Sequence, residues 1–593
     1  MEVSVSRAVP RSRKVLALVA GAAALAGPLT LATPASGAEA SYSVTPLRFT
    51  VEAGGRSCVV DADLYRPAGV DAGHPAPAVL ATNGFGGSKS DGSTDAIGRA
   101  FAERGYVGLV YSGLGFGASG CLISLDDPEI DGRAAARLVD FLAGSRPADD
   151  GTRADFVTRD GAGDPRVGMI GGSYGGAVQL AAASVDPRID ALVPLITWND
   201  LAYSLAPNAA DRATPGVFKW QWANGFYLMG EGQPLLVPSL DPSRINSLRC
   251  LHFVTDACDT VRLLNSGRYP RAETERMLAY ARGVSPVSYV DRITAPTLIV
   301  QGQADTLFNL NEARATYDRL RERGVDTRMI WQSWGHSGGR QPGELDLGQG
   351  NLEGSYVGQR ILGWFDRHLR KNPSADTGPA FAWYRDWQSG YGTADRVPAL
   401  SQRLYLSGDG KLVDNRAKVA RGSRTYSNWL IPTSHSESSL AGTIGLPDPR
   451  PYDTPGTYLG WTSAPLTAPV DLVGAPKATL KVDSPATERV QGSGDAADKL
   501  VLFAKLYDIA PDGTKTLVNR LVAPVRVPDV TRTFTVELPG VVHRYETGHR
   551  LELVIAASDT AYSGNRGIKP VTVSGAPGDP GTLELPLIRG RVG

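Results

Sequence analysis

Residues 45–370 alternate short apolar runs with segments of helical periodicity, and no other feature of the chain constrains its fold as strongly. The runs have the length and composition of buried strands, whereas the segments between them carry apolar residues at helical spacing. The predicted strands are residues 78–82, 107–111, 166–170, 191–197, 297–301 and 328–331. The predicted helices are residues 94–104, 130–142, 174–184 and 358–369. Strands that alternate with helices in this way predict a parallel α/β sheet.

The alternation stops between residues 199 and 290, where helical pieces carry many aromatic side chains. We interpret 199–290 as a helical cap insertion over the top edge of the sheet. A Gly/Pro/Ser-rich linker is predicted at 371–400, after the α/β domain. Residues 401–593 then show short alternating strands separated by turn signals. This last region predicts an all-β C-terminal domain, a jelly roll or β-sandwich.

The first 38 residues have the organisation of a secretory signal peptide. Four basic residues within the first 14 precede an apolar stretch at 15–26, which is too short to span a bilayer. Small residues at 36–38 fit the site at which such a peptide is cleaved. We therefore predict a signal peptide at 1–38 and a secreted, extracellular protein that has no membrane contact once the peptide is removed. An N-terminal membrane anchor is the alternative.

Charge and composition exclude several other classes of protein. Hydrophobic residues make up 42% of the chain and charged residues 21%, which is typical of a globular protein and not of a disordered one. Lys and Arg together number 61, as do Asp and Glu, so the whole chain has no basic excess that would favour nucleic acid. We therefore predict no nucleic-acid partner.

Export changes the meaning of the four cysteines, because disulfides persist outside the cytosol. Three pairings of Cys58, Cys121, Cys250 and Cys258 are possible. The short spacing between Cys250 and Cys258 allows them to close one small loop, which leaves Cys58 to pair with Cys121. A zinc site is the alternative, but the chain contains no C-x-x-C pattern. We predict two disulfides and no metal.

The segment Gly171-Gly172-Ser173-Tyr174-Gly175 matches the G-x-S-x-G pattern. The pattern alone is a weak signal in a chain with 68 glycines, so its surroundings have to decide. A predicted buried strand precedes it and an Ala-rich helix follows, which is the context of a nucleophile elbow. The sequence therefore predicts Ser173 as a nucleophile and the Tyr174 backbone N–H as one donor of an oxyanion hole.

A serine hydroxyl needs a base to activate it, and the base needs a partner that orients it. After a nucleophile elbow of this kind the chain order is serine, acid, histidine. The loops after the two late strands carry Asp305 and His336, at strand ends where sites occur in open parallel sheets. We predict His336 as the general base and acid and Asp305 as its orienter. The alternatives are a turn-capping aspartate and an ordinary loop histidine.

The second donor of an oxyanion hole has to come from the loop after an early strand. The Gly-rich loop at 83–87 has that position, and we predict the Phe85 backbone N–H as the donor. A Gly-rich turn without a function is the alternative.

These residues, together with several further segments, resemble the Xaa-Pro dipeptidyl-peptidase and cocaine-esterase family of α/β hydrolases. The segments that carry the resemblance are 113–120, 171–176, 462–466, 471–474, 504–508 and 548–551. The resemblance implies an α/β-hydrolase domain followed by a C-terminal jelly roll, and it puts the catalytic triad on Ser173, Asp305 and His336. In characterised relatives a tyrosine hydroxyl of the early loop helps to form the oxyanion hole, whereas this chain has Phe85.

The family divides between enzymes that release a dipeptide after proline and enzymes that cleave small esters or amides. A dipeptidase needs a carboxylate that binds the free α-amino group, and Asp200 is the predicted candidate, with Glu231 as a weaker one. A proline pocket also needs aromatic walls, for which the candidates are Trp198, Trp220, Trp222 and Tyr174. The alternatives are a helix-capping role for Asp200 and ordinary core or cap packing for each tryptophan.

The favoured hypothesis is a secreted serine dipeptidyl-peptidase of Xaa-Pro type that works through an acyl-enzyme. A secreted carboxylic-ester or amide hydrolase of cocaine-esterase type is the alternative, and an inert binding protein is the remote one. The expected partner is a peptide or a small ester or amide substrate. No cofactor is predicted, because the chain has no P-loop, dinucleotide fingerprint or H-E-x-x-H motif. The sequence leaves the oligomeric state open.

Overall fold

The computed structural model describes residues 41–233, 241–439 and 447–593. The signal peptide predicted at 1–38 lies outside the described residues. From Ser41 to Gly593 the chain forms one compact unit. Among the described residues, none of the helices combines the length and the apolar character that a membrane crossing needs.

A ten-stranded sheet forms the centre of the N-terminal part. In chain order the strands up to residue 394 are β1 (Tyr42–Ala53), β2 (Arg56–Pro67), β3 (Ala78–Thr82), β4 (Val107–Tyr111), β5 (Arg159–Gly161), β6 (Asp164–Pro165), β7 (Val167–Gly172), β8 (Ile189–Leu195), β9 (Thr297–Ala304), β10 (Thr327–Trp334), β11 (Phe381–Arg385) and β12 (Gly390–Ala394). The sheet order is β1-β2-β4-β3-β7-β8-β9-β10-β11-β12, and β5 and β6 form a separate hairpin. Neighbouring strands from β4 to β11 run parallel, so their carboxyl ends lie along one edge.

Helices cover both faces of this sheet. The helices up to residue 368 are α1 (Gly92–Ala102), α2 (Arg133–Leu142), α3 (Tyr174–Val185), α4 (Leu201–Leu205), α5 (Trp220–Gly232), α6 (Thr255–Asn265), α7 (Arg271–Gly283), α8 (Pro286–Tyr289), α9 (Leu310–Glu322) and α10 (Tyr356–His368). The apolar sides of α2 and α3 bury one face of the sheet, and those of α1 and α10 bury the other. The parallel α/β sheet predicted from the alternating pattern is therefore confirmed.

The insertion contains α4 to α8 and has an apolar core of its own. This core includes Tyr174 at the start of α3 and Phe308 in the loop after β9. The insertion therefore packs directly on the loops at the carboxyl edge of the sheet, as predicted for a cap.

The C-terminal part consists of short antiparallel strands around a second large apolar core. Its elements are β13 (Gln402–Leu406), β14 (Leu412–Val413), β15 (Gly422–Tyr426), β16 (Ser434–His435), β17 (Tyr452–Asp453), β18 (Tyr458–Thr462), β19 (Val470–Gly474), β20 (Lys477–Leu480), α11 (Pro485–Glu488), β21 (Val501–Ile509), β22 (Lys515–Leu517), β23 (Ala523–Arg526), β24 (Phe534–Glu537), β25 (Val541–Tyr545), β26 (Arg550–Ala556), β27 (Val571–Gly575), β28 (Thr582–Leu585) and β29 (Leu587–Arg589). Two five-stranded sheets dominate it, one built around β28 and β20 and the other around β26 and β21. The predicted all-β C-terminal domain is confirmed.

Two parts of the sheet differ from the sequence prediction. The long hairpin of β1 and β2 was not predicted, because β1 exposes most residues of its first half and so lacks a continuous apolar run. Residues 371–400 were predicted as a linker, yet β11 and β12 lie inside that range and extend the sheet beyond β10. The buried run Phe381-Ala382-Trp383 drives this, because it packs against β10 and the core beneath it.

Both predicted disulfides are present. Cys58 on β2 is bonded to Cys121 in the loop after β4, across a separation of 63 residues. Cys250 is bonded to Cys258 at the start of α6, across a separation of 8 residues. One bridge therefore ties a strand of the sheet to a distant loop, and the other closes a small loop within the insertion.

Candidate active site

Ser173 forms the sharp turn between β7 and α3. Its φ is 57° and its ψ is −119°, which is a backbone conformation rare for a residue with a side chain. Strain of this kind persists where neighbouring contacts hold it, and here the Ser173 N–H donates to the Leu195 carbonyl of β8 at 2.9 Å. The turn therefore fixes Ser173 at the carboxyl end of β7, on the edge of the sheet.

The glycines beside Ser173 are required by close backbone contacts. A Cβ added to Gly175 would lie 2.5 Å from the Thr82 carbonyl oxygen, and one added to Gly171 would lie 2.6 Å from the Gly175 carbonyl oxygen. Neither backbone oxygen can move away cheaply, so a larger residue at either position would displace the turn. The G-x-S-x-G pattern is thus a packing requirement of this turn.

A chain of hydrogen bonds links Ser173 to two loops of the same sheet edge. The Ser173 Oγ lies 2.9 Å from Nε2 of His336, and Nδ1 of His336 lies 2.7 Å from Oδ2 of Asp305. The other oxygen of Asp305 accepts the backbone N–H groups of Leu307 and Phe308 at 3.0 and 2.8 Å. When the Asp305 carboxylate accepts Nδ1–H, Nε2 is left free to accept the serine proton. The arrangement can therefore activate a hydroxyl nucleophile.

Two aromatic rings pack against the imidazole of His336. The Phe308 ring meets it edge to face with 5.2 Å between centroids, and the Trp222 ring does so at 6.2 Å. These rings leave the His336 side chain 13% exposed and Asp305 fully buried. A shielded carboxylate next to the imidazole strengthens their interaction, because water does not screen it.

The loop at 83–87 lies beside Ser173. A Cβ added to Gly84 would be 4.0 Å from the Cβ of Ser173. The Asn83 side chain fixes the loop, since its Nδ2 donates to the Gly84 carbonyl at 2.8 Å and its Oδ1 accepts the Gly113 N–H at 2.9 Å. Tyr174 begins α3, and the first N–H groups of a helix have no partner within it. Both segments predicted to supply oxyanion donors are therefore next to the nucleophile.

An apolar cavity of about 80 Å³ lies within the insertion, next to these loops. Its walls come from α4 to α7, from Phe253 before α6, and from Phe85 and Leu125 in the loops after β3 and β4. The polar side-chain atoms among them are the hydroxyls of Tyr227, Thr260 and Tyr280. None of the described residues that line it carries a carboxylate. One of its lining rings, Phe226, stacks on Trp222 at 5.6 Å, and Trp222 in turn packs on His336. The cavity offers space for an apolar group, and its lining residue Phe85 belongs to the loop beside Ser173.

Two family models match the chain, and both describe the same kind of enzyme. Residues 55–338 match the X-Pro dipeptidyl-peptidase family, S15, and residues 374–569 match the C-terminal non-catalytic domain of X-Pro dipeptidyl-peptidases. The chain belongs to the X-Pro dipeptidyl-peptidase and CocE family of hydrolases. The predicted resemblance to this family is thereby confirmed.

Solved structures share the whole architecture of this family member. An aminopeptidase from the marine sediment archaeon Thaumarchaeota archaeon is 15% identical, has a TM-score of 0.63, and the match covers 94% of this chain and 99% of the other. A selenomethionine-labelled α-amino acid ester hydrolase is 16% identical, with a TM-score of 0.60 and coverage of 94% and 98%. A CocE/NonD family hydrolase from Staphylococcus aureus is 13% identical, with a TM-score of 0.57 and coverage of 93% and 97%. At such identities the likeness shows a common fold. No curated protein matches the chain.

Within this S15 chain, Asp200 does not lie where an amine-binding carboxylate was expected. It caps α4, and its Oδ1 accepts the Ala202 and Tyr203 N–H groups at 2.9 and 3.4 Å. Its Oδ2 lies 3.5 Å from Nε of Arg282 and 4.0 Å from the Arg212 guanidinium. Asp200 is buried in these contacts and does not line the apolar cavity. The capping role that was its alternative is the one the structure has.

Glu231, the weaker candidate, also has its partners inside the insertion. Its carboxylate accepts the backbone N–H groups of Leu251 and His252 at 2.8 and 3.3 Å. It lies close to the sulfurs of Cys250 and Cys258, but these are bonded to each other and so offer no thiolate to a metal. Glu231 thus stabilises the loop that this disulfide closes.

The three predicted tryptophans have three different positions. Trp222 packs beside His336, as described above. Trp198 is buried between the rings of Tyr174 and Phe308, at centroid distances of 6.2 and 5.2 Å, so it lies behind the site. Trp220 donates its indole N–H to the Thr560 carbonyl at 3.0 Å and so contacts the C-terminal domain. Of the three, only Trp222 borders the hydrogen-bonded chain.

Sequence reasoning missed two buried charges behind the Asp305 loop. Lys219 donates through Nζ to the carbonyls of Thr306 and Leu307 at 2.7 and 3.0 Å, and burial lowers its pKa to about 8. Glu437 accepts a hydrogen bond from the Thr306 hydroxyl, and burial raises its pKa to about 7. No local motif marks either residue, because Lys219 lies in the insertion and Glu437 in the C-terminal domain, both far from Asp305 in the chain. Only the folded chain brings the three together.

Proposed function

We propose that this hydrolase cleaves esters or amides through a covalent acyl-enzyme on Ser173. The proposal rests on the hydrogen-bonded chain from Asp305 through His336 to Ser173, which supplies an orienting carboxylate, a base and a nucleophile within reach of one another. Membership of a hydrolase family supports the reaction class.

In the proposed first half of the reaction, the Ser173 Oγ attacks the carbonyl carbon while Nε2 of His336 takes its proton. Asp305 accepts Nδ1–H throughout and stabilises the imidazolium that forms. The backbone N–H groups of Tyr174 and Phe85 donate to the oxyanion of the tetrahedral intermediate. His336 then gives the proton to the departing alcohol or amine, and the acyl group stays on Ser173.

In the second half, a water molecule takes the place of the leaving group. His336 removes a proton from it, the resulting hydroxide attacks the acyl carbon, and the same N–H donors stabilise the second intermediate. The proton on Nε2 returns to Ser173 as the carboxylic acid leaves. Both halves use the same residues, so one hydrogen-bonded chain is sufficient for the cycle.

The apolar cavity supports a substrate with an apolar acyl group. A free α-amino group bound there would lose its hydration without gaining a carboxylate partner, which is costly for a charged group. Asp200 and Glu231 are already engaged by backbone N–H groups, and Asp200 also by arginine. We therefore favour a carboxylic-ester or amide hydrolase that has no amine anchor.

A dipeptidyl-peptidase of Xaa-Pro type is the second candidate. Both family matches carry that name, and one of the similar structures is titled an aminopeptidase. For this activity the substrate amine would have to bind a carboxylate other than Asp200, because Asp200 is already engaged by backbone N–H groups and arginine.

The test compares three chromogenic substrates on the purified protein: p-nitrophenyl butyrate, Ala-Pro-p-nitroanilide, and the N-acetylated form of the nitroanilide. We expect ester turnover and labelling of Ser173 by a fluorophosphonate probe, both lost in Ser173→Ala and both retained in Ser184→Ala, a control near the end of α3. Turnover of the free-amine nitroanilide alone would establish the second candidate. A wild-type protein that neither labels nor turns over any substrate would refute the proposed function.

We also infer that the protein acts outside the cytosol. Two disulfides bonded within the described residues support this, because such bonds persist in oxidising compartments. The signal peptide predicted at 1–38 is the expected means of export. Secretion of the full-length chain into the medium, with removal of about 38 residues, is the measurement that checks it.

A further inference from the structure

Two hydroxyls join the loop that carries Asp305 to the loop that carries His336. Thr306 directly follows Asp305, Ser337 directly follows His336, and their hydroxyl oxygens are hydrogen-bonded to each other. The Thr306 N–H also donates to the Ser337 Oγ at 3.3 Å, and the Ser337 N–H donates to the Ala304 carbonyl at 3.3 Å. The relative position of the two loops therefore depends on this Thr306–Ser337 contact.

A carboxylate from the C-terminal domain binds this hydroxyl pair. Glu437 follows β16 and is buried, and its Oε2 accepts the hydroxyl proton of Thr306. Its Oε1 accepts the indole N–H of Trp222 at 3.3 Å, and the Trp222 ring packs on His336. Glu437 thus contacts both a residue next to Asp305 in the chain and a ring beside His336.

The chemistry of a carboxylate gives this network a direction. An ionised carboxylate can only accept hydrogen bonds, so Thr306 has to donate its single hydroxyl proton to Glu437. The Thr306 oxygen is then left to accept from the Ser337 hydroxyl. The ionised carboxylate therefore selects the arrangement in which Ser337 donates to Thr306, whereas without it either hydroxyl could be the donor.

Burial raises the pKa of Glu437 to about 7, whereas the hydrogen bond from Thr306, the charge of Lys219 and the hydrogen bond from Trp222 favour its ionised form. The buried ammonium group of Lys219 is an attractive charge for it, and the same group donates to the carbonyls of Thr306 and Leu307. Asp559 acts in the opposite direction by repulsion. Lys219 and Glu437 therefore hold the turn after Asp305 from two sides, one at its carbonyls and one at its hydroxyl.

We propose that Glu437, supplied by the β-sandwich domain, is a positioning residue for the Asp305–His336 pair. It acts through the Thr306 hydroxyl and Trp222, and touches neither the substrate nor the reacting atoms. This inference rests on the proposed serine hydrolase function. It assigns the C-terminal domain a part in catalysis, although its family model is described as non-catalytic.

The alternative is that Glu437 only helps to hold two domains together. Helix α5, which carries Trp222, also offers a contact between the domains that reaches neither catalytic loop: Gln221 donates through Nε2 to the Thr560 carbonyl at 3.1 Å and accepts the Ser439 hydroxyl at 3.3 Å. Gln221→Ala therefore serves as the matched control for a loosened domain contact.

The test measures kcat and KM for p-nitrophenyl butyrate, together with the rate of fluorophosphonate labelling, for Glu437→Ala, Glu437→Gln and Gln221→Ala. We expect Glu437→Ala to lower kcat and the labelling rate roughly 10- to 100-fold with little change in KM, because small displacements of catalytic groups have effects of this size. Glu437→Gln should restore most of the loss, because its amide oxygen can still accept from Thr306. Gln221→Ala should behave as the wild type.

A double substitution tests the route through Thr306. If Glu437 acts by holding that hydroxyl, Glu437→Ala combined with Thr306→Val should lose no more activity than the stronger of the two single changes. If the double variant loses activity by the product of the two single losses, the inference is overturned. A Thr306→Val protein with wild-type kcat would also overturn it. Thr306→Val also carries the test if Glu437→Ala fails to fold.

The outcomes separate this inference from the proposed function. A wild-type protein without labelling or turnover would refute the serine hydrolase proposal itself. A wild-type protein that labels and turns over substrate, with Glu437→Ala equal to it, would leave that proposal intact and refute the positioning role.

Discussion

The carboxyl edge of the sheet and the helical insertion meet where Trp222 packs on His336, and the two regions use polar side chains in opposite ways. At the sheet edge, Asp305 and His336 direct their polar atoms along one line towards the nucleophile. In the insertion, the carboxylates of Asp200 and Glu231 are turned to backbone N–H groups and away from the cavity, whose walls are apolar. The comparison teaches that the sheet places the groups for bond cleavage, whereas the insertion shapes the space that a substrate can fill.

The largest expected effect is a loss of kcat when the buried aspartate of the sheet edge is changed, and the buried aspartate of the insertion should not show it. Asp305→Asn should lower kcat about 10⁴-fold, because the amide oxygen would accept the Leu307 and Phe308 N–H groups and its NH2 would donate to Nδ1 of His336, which puts the imidazole in the unproductive tautomer. Asp200→Asn should leave kcat for p-nitrophenyl butyrate nearly unchanged, since Asp200 caps a helix. Steady-state kinetics of both variants check this. A selective loss of Ala-Pro-p-nitroanilide turnover in Asp200→Asn would contradict the structural role and give Asp200 an amine-binding one.

The two disulfides allow the same regions to be compared by stability. Removing Cys58–Cys121 should cost about 4 kcal/mol and removing Cys250–Cys258 about 2.5 kcal/mol, because cross-links across 63 and 8 residues restrict the unfolded chain to different extents. Urea unfolding of the two double Cys→Ser variants measures the difference. Equal losses would mean that the insertion loop contributes more to the fold than its length implies.

Filling the cavity should change which substrates are accepted and leave the sheet edge intact. Ala281 on α7 lines the cavity, and Ala281→Leu should lower kcat/KM for a p-nitrophenyl hexanoate ester roughly 10- to 100-fold, with little effect on the acetate ester. Ala279→Leu, an exposed position on the same helix, is the matched control and should behave as the wild type. If both esters suffer equally in Ala281→Leu, the cavity does not receive the acyl group.

The smallest effect concerns the junction of the two regions. Glu312 on α9 accepts the N–H groups of Asn199 and Asp200 with one carboxylate oxygen, and burial raises its pKa to about 7 from an ordinary 4.5. Because the unfolded chain loses this proton before the folded protein does, the free energy of unfolding should fall by on the order of 1–3 kcal/mol as the pH rises from about 4.5 to 7, and stay level above that. The penalty should vanish below pH 4.5, where the carboxyl is protonated in both states.

Glu312→Gln checks the sign of this effect, since its amide oxygen can accept both N–H groups and the side chain does not titrate. Unfolding free energies measured between pH 5 and pH 8 should fall with rising pH more steeply in the wild type than in the variant. Parallel profiles would show that Glu312 does not control the pH dependence of this junction.

Sequence reasoning found the three residues of the hydrogen-bonded chain because the fold leaves them little freedom. A strand followed by G-x-S-x-G and a helix locates Ser173, and two further strand ends locate Asp305 and His336 on the same edge. It did not find the contacts of Asp200, Trp220 or Glu437. Each of these depends on how the insertion and the C-terminal domain pack, and no spacing along the chain encodes that packing.

The amino-acid sequence by itself determined the layer architecture and the order of the chemical groups, because both follow from local periodicity and from the geometry of parallel strands. It also determined which cysteines could pair. Only the tertiary structure decided that the insertion contains an apolar cavity and that Asp200 and Glu231 are engaged by groups within the insertion. The same holds for the carboxylate of the β domain that reaches the Asp305 loop. The physical reason is that burial and hydrogen-bond partners depend on contacts between residues far apart in the chain.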